Sequence, residues 1–78
     1  MLKSLNRFIK NNDYTINIWE NNIDIINFSE ILILEENKVV LLINNKRITI
    51  IGENLTINKL LDNEILLKGK LKSFEIGE

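Results

Sequence analysis

The chain has 78 residues, which is too short for more than one domain and close to the size at which a single hydrophobic core is only marginally stable. It contains neither cysteine nor histidine. That composition excludes a disulfide framework, thiolate-ligated zinc or iron–sulfur sites, and a histidine acting as base or metal ligand. Its 10 basic and 11 acidic residues nearly balance, so the sequence lacks the basic excess typical of nucleic-acid binders.

Two segments differ in their hydrophobic pattern. Residues 1–12 are predicted to form an N-terminal helix or arm, and residues 13–78 a β domain. The helix is predicted over residues 2–10, where apolar side chains at spacings of three and four form one stripe. These side chains are Leu2, Leu5, Phe8 and Ile9. Because so short a helix is marginal alone, we expect it to dock on the sheet or on a second subunit, although its basic side also suits a membrane surface.

From Tyr14 onward the pattern is that of short β-strands. Apolar runs rich in branched side chains are separated by turns that contain asparagine or glutamate, and asparagine suits hairpin turns because it tolerates positive φ. The predicted strands cover residues 14–19, 31–34, 39–43, 47–51, 55–57, 64–68 and 70–76. The chain has no proline, so no residue of that kind interrupts a strand.

A period of 17 residues runs through the β domain, and each unit is an apolar run, a turn and a second apolar run. One column of the period contains Tyr14, Ile31, Ile48 and Ile65. Such units fit an antiparallel meander folded into a small sandwich or barrel, or a short parallel β-solenoid with one rung per unit. Turns of two to four residues favour hairpins, so the all-β antiparallel sandwich is the preferred prediction.

Two of the predicted strands, residues 31–34 and 39–43, are apolar on both faces. A sheet with one solvated face would alternate, so these strands should be buried on two sides. A domain of this size has few central strands, and we therefore predict a homo-oligomer or another assembly that covers the second face. No apolar segment approaches the roughly 20 residues that cross a bilayer, and we expect a soluble, cytoplasmic protein.

No residue is assigned a catalytic, cofactor-binding or metal-binding role. Gly52 and Gly69 are isolated glycines within strand patterns, which indicates bulges or turns with positive φ and not a phosphate-binding loop. Four carboxylates that flank strands show no EF-hand spacing and are expected in solvated turns. They are Glu35, Glu36, Glu53 and Glu64. The serines have no histidine to activate them, so we expect no enzymatic activity.

Two further groups of side chains have both a binding and a structural interpretation. Lys68, Lys70 and Lys72 alternate along one strand, where they could meet an anionic partner or, as we prefer, keep an edge strand soluble. Four aromatic side chains could stack on bases, but we expect them to anchor a core or an interface. They are Tyr14, Trp19, Phe28 and Phe74.

The second half of the chain contains two related motifs. Residues 48–57 read I-T-I-I-G-E-N-L-T-I, and residues 64–76 read E-I-L-L-K-G-K-L-K-S-F-E-I. Together with I-N-F-S-E-I-L over residues 26–32, they resemble the YabP/YqfC family of small sporulation proteins from endospore-forming Firmicutes. The family theme is I-x-G-x-x-L-x-I followed by I-x-L-x-G-x-I-x-S and an aromatic residue. The resemblance implies a role in spore formation in the mother cell, with no enzymatic activity, and matches Gly52 and Gly69 as structural positions.

We therefore predict a non-enzymatic protein that acts in spore coat or cortex morphogenesis through protein–protein assembly. Its expected partners are further copies of itself and other spore-assembly proteins, and we expect no cofactor. Two alternatives are a small nucleic-acid-binding β-barrel and a membrane-surface adaptor that uses residues 2–10.

Overall fold

The computed structural model describes residues 7–10 and 14–77, and for residues 7–10 it describes the backbone alone. The described residues form seven β-strands. These are β1 (Arg7–Lys10), β2 (Thr15–Trp19), β3 (Asn22–Ile26), β4 (Glu30–Leu34), β5 (Lys38–Ile43), β6 (Lys46–Leu60) and β7 (Glu64–Gly77). The predicted all-β class is therefore confirmed.

The strands form one sheet in the order β1-β2-β3-β7-β6-β5-β4. Every neighbouring pair is antiparallel. Two meanders, β1 to β3 and β4 to β7, lie side by side and are joined where β3 pairs with β7. The pairing confirms the preferred antiparallel arrangement, and the alternative of stacked parallel rungs is wrong for the described sheet.

The 17-residue units have two different structures. The first two units each contain a hairpin, β2–β3 and β4–β5. The last two units are single long strands, β6 with 15 residues and β7 with 14. The sequence predicts separate short strands on either side of Gly52 and of Gly69, and this is wrong, because both glycines lie inside a continuous, bent strand.

The helix predicted over residues 2–10 is wrong at its C-terminal end. Arg7–Lys10 form β1, which pairs with β2 from Thr15 to Ile18. A helix of about two and a half turns forms few hydrogen bonds for the backbone freedom it loses, whereas a strand added to an existing sheet gains ladder hydrogen bonds at once. The rest of the predicted helix, residues 2–6, lies outside the described residues.

The long hairpin of β6 and β7 bends, and the sheet folds over on itself. Half-sheet A contains β1, β2 and β3 with residues 64–68 of β7 and 56–60 of β6. Half-sheet B contains β4 and β5 with residues 46–53 of β6 and 70–77 of β7. The smallest extent of the fold is 21 Å, which is too thick for one layer and suits two layers packed about 10 Å apart.

Gly52 and Gly69 allow the hairpin to bend. A Cβ atom at Gly52 would lie 2.5 Å from the backbone oxygen of Lys70, and the pairing of β6 with β7 shifts register between Ile51 and Gly52. Gly69 has a φ of +151°, and a Cβ atom there would lie 2.8 Å from the backbone oxygen of Asn54. The predicted bulge is thus found at Gly52 and the predicted positive φ at Gly69.

The turns of the two hairpins are tied to this bend. The Gly52 N–H donates to the carbonyl oxygen of Asn37, in the β4–β5 turn, at 3.1 Å. The Gly69 N–H donates to the carbonyl oxygen of Asn21, in the β2–β3 turn, at 2.9 Å. These bonds satisfy backbone groups that the bulged ladder leaves without a strand partner, and so they fix the bend.

The core lies between the two half-sheets and is built from alternate side chains of both. Half-sheet A contributes Ile16, Ile18, Ile23, Ile25, Ile65 and Leu67, and half-sheet B contributes Val39, Leu41, Ile43, Ile48 and Ile50. All of these side chains are almost completely buried. Each contributes roughly 1.5–3 kcal/mol through the apolar surface it removes from water.

Strand β5 has buried side chains on both faces within a single chain, although Leu42 on the outer face is only partly buried. Val39 and Leu41 point into the core, while Val40, on the opposite face, is 3% exposed. Val40 lies between Ile33 of β4 and Thr49 of β6. Val40 is therefore covered by neighbouring strands of the same chain, and the predicted homo-oligomer stays a prediction. The other two-faced run, residues 31–34, does keep exposed apolar side chains.

Candidate interaction surface

Strand β4 forms an edge of the sheet and carries two exposed leucines. Leu32 is 39% exposed and Leu34 is 47% exposed. Among the described strands, β5 is the only neighbour of β4, and the pairing has a bulge between Ile31 and Ile33. Edge strands are commonly protected by lysine or proline as well as by bulges, but Glu30–Leu34 contains neither residue. This β4 edge therefore presents backbone hydrogen-bonding groups beside apolar side chains.

The opposite edge of half-sheet B is formed by residues 70–77, which we call the β7 edge. Strand β3 pairs with β7 only as far as Lys68, so β6 is the one described neighbour of the β7 edge. Lys70 and Lys72 are exposed here. The Lys72 Nζ atom lies 2.8 Å from Glu53 Oε2, and this hydrogen-bonded ion pair holds the pKa of Glu53 below its ordinary value.

The two edges of half-sheet B differ in charge. The β4 edge begins with Glu30 and is followed by Glu35 and Glu36, and all three side chains are exposed. The β7 edge begins with Lys70 and Lys72 and carries the exposed Glu75 further along, so its first half is the basic part. Opposite charges at the two ends of one half-sheet allow electrostatic complementarity between molecules.

A groove of about 850 Å³ lies between the start of β4 and the β6–β7 turn. Its apolar lining comes from Phe28, Ile31, Leu60 and Leu61. Two asparagines hold its walls together, since Asn63 Nδ2 donates to Asn27 Oδ1 at 3.0 Å and the Asn27 N–H donates to the carbonyl oxygen of Asn63. The groove is open to solvent, and its charged lining residues are Glu30 and Asp62.

A titratable cluster lies on the outer face of half-sheet A. Asp24 on β3 is opposite Leu66 of β7, and Glu64 lies two pairs along the same ladder, opposite Ile26. The pKa of Asp24 is raised to about 6. The main cause is burial, followed by a hydrogen bond with Glu64 and repulsion from its charge, while the charge of Lys59 opposes the rise. The Lys59 Nζ atom is 3.5 Å from Glu64 Oε2. Sequence reasoning missed this cluster, because Asp24 and Glu64 meet only through the β3–β7 register.

The carboxylates and lysines singled out from the sequence do not converge on one site. Glu53 is exposed, as are Glu35 and Glu36, whereas Glu64 is half-buried beside Asp24 and not in a solvated turn. Lys68 lies where β7 is flanked by β3 and β6, so only the other two lysines mark an edge.

The four aromatic side chains are also dispersed. Tyr14 is part of the core, and Phe28 and Phe74 pack against it. Trp19, at the end of β2, is 36% exposed. Three of the four are therefore anchors of the core, and the described residues present no shared aromatic platform on which bases could stack.

Comparison with known proteins gives no family for this chain. No protein-family model, curated protein or solved structure matches it. Within residues 14–77, no group of three or more acidic side chains is placed to hold a metal ion. The part of the chain that the structure describes includes no helix of the length and hydropathy needed to span a membrane.

Proposed function

We propose that this protein is a non-enzymatic assembly protein that acts in spore formation, in the morphogenesis of the spore coat or cortex. The β4 edge is the observation that carries the proposal. A partner strand added to this edge would gain backbone hydrogen bonds and would cover Leu32 and Leu34. Fully burying an exposed leucine contributes roughly 1.5–3 kcal/mol, and since Leu32 and Leu34 are 39% and 47% exposed, covering each would contribute somewhat less than half of that.

The resemblance to the YabP/YqfC family supports the sporulation part of the proposal. Its two glycine-containing motifs form β6 and β7, and both glycines lie at the bend where a Cβ atom would clash. The two motif glycines are therefore explained by the bend of the hairpin, without any catalytic role. The proposal assigns no catalytic residue and no cofactor, and it places the protein in the mother-cell cytoplasm.

Self-association is tested by sedimentation velocity over a wide range of protein concentration. We expect the average mass to rise with concentration for the wild-type chain, and to stay near that of a monomer for the double variant Leu32→Thr, Leu34→Thr. Threonine keeps the β-propensity of these positions while reducing their apolar surface. The matched control is Ile57→Thr, since Ile57 is 38% exposed but lies in half-sheet A, where it pairs with Leu67. A wild-type chain that is monomeric throughout, and that binds no other spore-assembly protein, contradicts the proposal.

The biological part is tested in an endospore-forming host that carries this gene. We expect deletion to lower the count of heat-resistant spores and the wild-type gene to restore it. A gene encoding the Leu32→Thr, Leu34→Thr variant should fail to restore the count, while the control variant should succeed. Normal spores in the deletion strain would argue against a role in spore formation.

A further inference from the structure

We infer that the partner of the β4 edge is the β7 edge of a second copy of this chain, so that copies join head to tail in an open row. The inference rests on the proposed function and names the surfaces through which assembly occurs. A contact between two different edges of the same molecule repeats from copy to copy and gives an open row unless the rotation between copies closes a ring, and sheet twist would wind the row into a helix.

Strand direction permits this contact. The four strands of half-sheet B alternate in direction, because each of its neighbouring pairs is antiparallel. The two edges of the half-sheet therefore run in opposite directions. A second copy moved sideways, without being turned over, brings its β4 edge antiparallel to the β7 edge of the first. The alternation of half-sheet B then continues from one molecule into the next.

Charge favours the same contact. Antiparallel pairing places the C-terminal end of β4, where Glu35 and Glu36 follow, against the beginning of the β7 edge, where Lys70 and Lys72 lie. Opposite charges across a strand pair are stabilising, and like charges directly opposite are destabilising. Glu35 and Glu36 of one copy thus meet Lys70 and Lys72 of the next, whereas Glu30 lies toward Glu75, which is a single like-charge contact.

Pairing two identical edges about a two-fold axis gives either a less favourable charge contact or exposed leucines. Two β4 edges paired about a two-fold axis would bring Glu30 of one copy toward the acidic end of the other, which is a like-charge contact. Two β7 edges paired in the same way would bring Lys72 of one copy toward Glu75 of the other, which is a favourable contact between opposite charges. That dimer, however, would leave Leu32 and Leu34 of both copies exposed. The head-to-tail contact covers both edges of every internal molecule.

The contact involves one strand from each copy, so it is small compared with stable protein interfaces, which bury more than about 1,000 Å². We therefore expect assembly to be reversible and strongly dependent on concentration. Because exposed charges contribute to it, assembly should weaken as the salt concentration rises and screens them.

A charge exchange between the two edges tests the inference. Variant one carries Lys70→Glu and Lys72→Glu, and variant two carries Glu35→Lys and Glu36→Lys. Each variant alone has like charges on its two edges, so we expect its association to be weaker than that of wild type by at least about tenfold. An equimolar mixture restores opposite charges at every junction and should recover the wild-type sedimentation profile. A single chain with all four substitutions should recover it alone.

Folding of each variant is checked by its thermal melt, because Glu at position 72 would lie near Glu53. If variant one fails to fold, Lys70→Gln with Lys72→Gln replaces it, and its association should also be weaker than that of wild type. A wild-type chain that never associates overturns the head-to-tail contact, and it overturns the proposed function as well if the chain also binds no other spore-assembly protein. A wild-type chain that associates, with no recovery in the mixture or in the four-substitution chain, overturns only the head-to-tail contact.

Cross-linking provides a second test, since the chain has no cysteine of its own. Leu34→Cys labels the β4 edge and Ser73→Cys labels the β7 edge. With a short bifunctional maleimide, we expect cross-linked dimers in a mixture of the two variants and none in either variant alone. Cross-links within the Leu34→Cys sample alone, or within the Ser73→Cys sample alone, would instead identify a two-fold contact and overturn the inference.

Discussion

The carboxyl group of Asp24 lies beside that of Glu64, on neighbouring strands of half-sheet A. Oδ1 of Asp24 is buried and has no hydrogen-bond partner among the described residues. Removal from water, together with Glu64, raises the pKa of Asp24 from 3.8 to about 6. Because the folded-state pKa is the higher one, the stability linked to protonated Asp24 is fully present below pH 3.8 and is lost as the pH rises through about 6.

Asp24→Asn should therefore stabilise the protein at neutral pH. Asparagine avoids the charge that Asp24 acquires above its pKa, and one pKa unit corresponds to about 1.4 kcal/mol. Because the side chain is partly exposed, solvent screening reduces the gain, and we expect about 1 kcal/mol at pH 7.5 and little difference at pH 4. Urea unfolding at several pH values, at low protein concentration, measures the free energy of unfolding. Equal stability of the two proteins at pH 7.5 would contradict this expectation.

Glu64→Gln tests the cause of the Asp24 shift. The substitution removes the neighbouring negative charge, so we expect the pKa of Asp24 to fall and the pH dependence of stability to become weaker. Titration of the Asp24 carboxyl carbon by NMR reports this directly. An unchanged Asp24 titration in the Glu64→Gln variant would show that burial alone sets the value.

The Asp24 cluster illustrates what the sequence could not predict. Strand β3 itself was missed, although Ile23 and Ile25 alternate with polar residues, because asparagine and aspartate are depleted in strands and resemble turn signals. Without β3 there was no partner strand to bring Glu64 beside Asp24. Apolar alternation predicts which residues lie in strands, but pairing across the sheet depends on the order of the strands, which composition and spacing leave open.

Substitution of the bend glycines should be severely destabilising. An alanine at Gly69 would adopt an unfavourable φ and would place its Cβ atom against the backbone near Asn54 and Leu55, and an alanine at Gly52 would meet the carbonyl oxygen of Lys70. We expect either substitution to lower the free energy of unfolding by about 2–4 kcal/mol, or to prevent folding. Thermal melts followed by circular dichroism measure the effect.

Gly77→Ala is the matched control, because a Cβ atom at Gly77 would have no atom within 4 Å. We expect its stability to stay within about 0.5 kcal/mol of wild type. If Gly69→Ala were as stable as Gly77→Ala, the bend would not depend on that glycine. The sequence pattern predicts a strand end at Gly52 and at Gly69, where β6 and β7 in fact continue, because isolated glycines in strand patterns mark both strand ends and bulges.

The leucines of β4 and β5 should differ sharply in their contribution to stability. Leu41 on β5 is fully buried in the core, whereas Leu34 on the β4 edge is 47% exposed. Leu41→Ala should lower the free energy of unfolding by about 2–5 kcal/mol, because it removes core contacts and leaves a cavity. Leu34→Ala should change it by less than about 0.5 kcal/mol while weakening self-association. Chemical unfolding and sedimentation separate the two effects, and a large loss of stability in Leu34→Ala would mean that this side chain belongs to the core.

The β5–β6 hairpin depends on a turn that the sequence did predict. Asn44 and Asn45 connect the strands with φ values of 52° and 67°, which is the pattern of a two-residue turn with both central residues left-handed. Glycine adopts such a φ without strain, and alanine does so at a cost of about 1 kcal/mol. Asn45→Gly should therefore raise the free energy of unfolding by about 0.5 kcal/mol, and Asn45→Ala should lower it by about 1 kcal/mol. Asn58→Ala is the control, since Asn58 is exposed within β6 and lacks a positive φ. If Asn58→Ala lowered the free energy of unfolding as much as Asn45→Ala, the turn geometry would not explain the effect at Asn45.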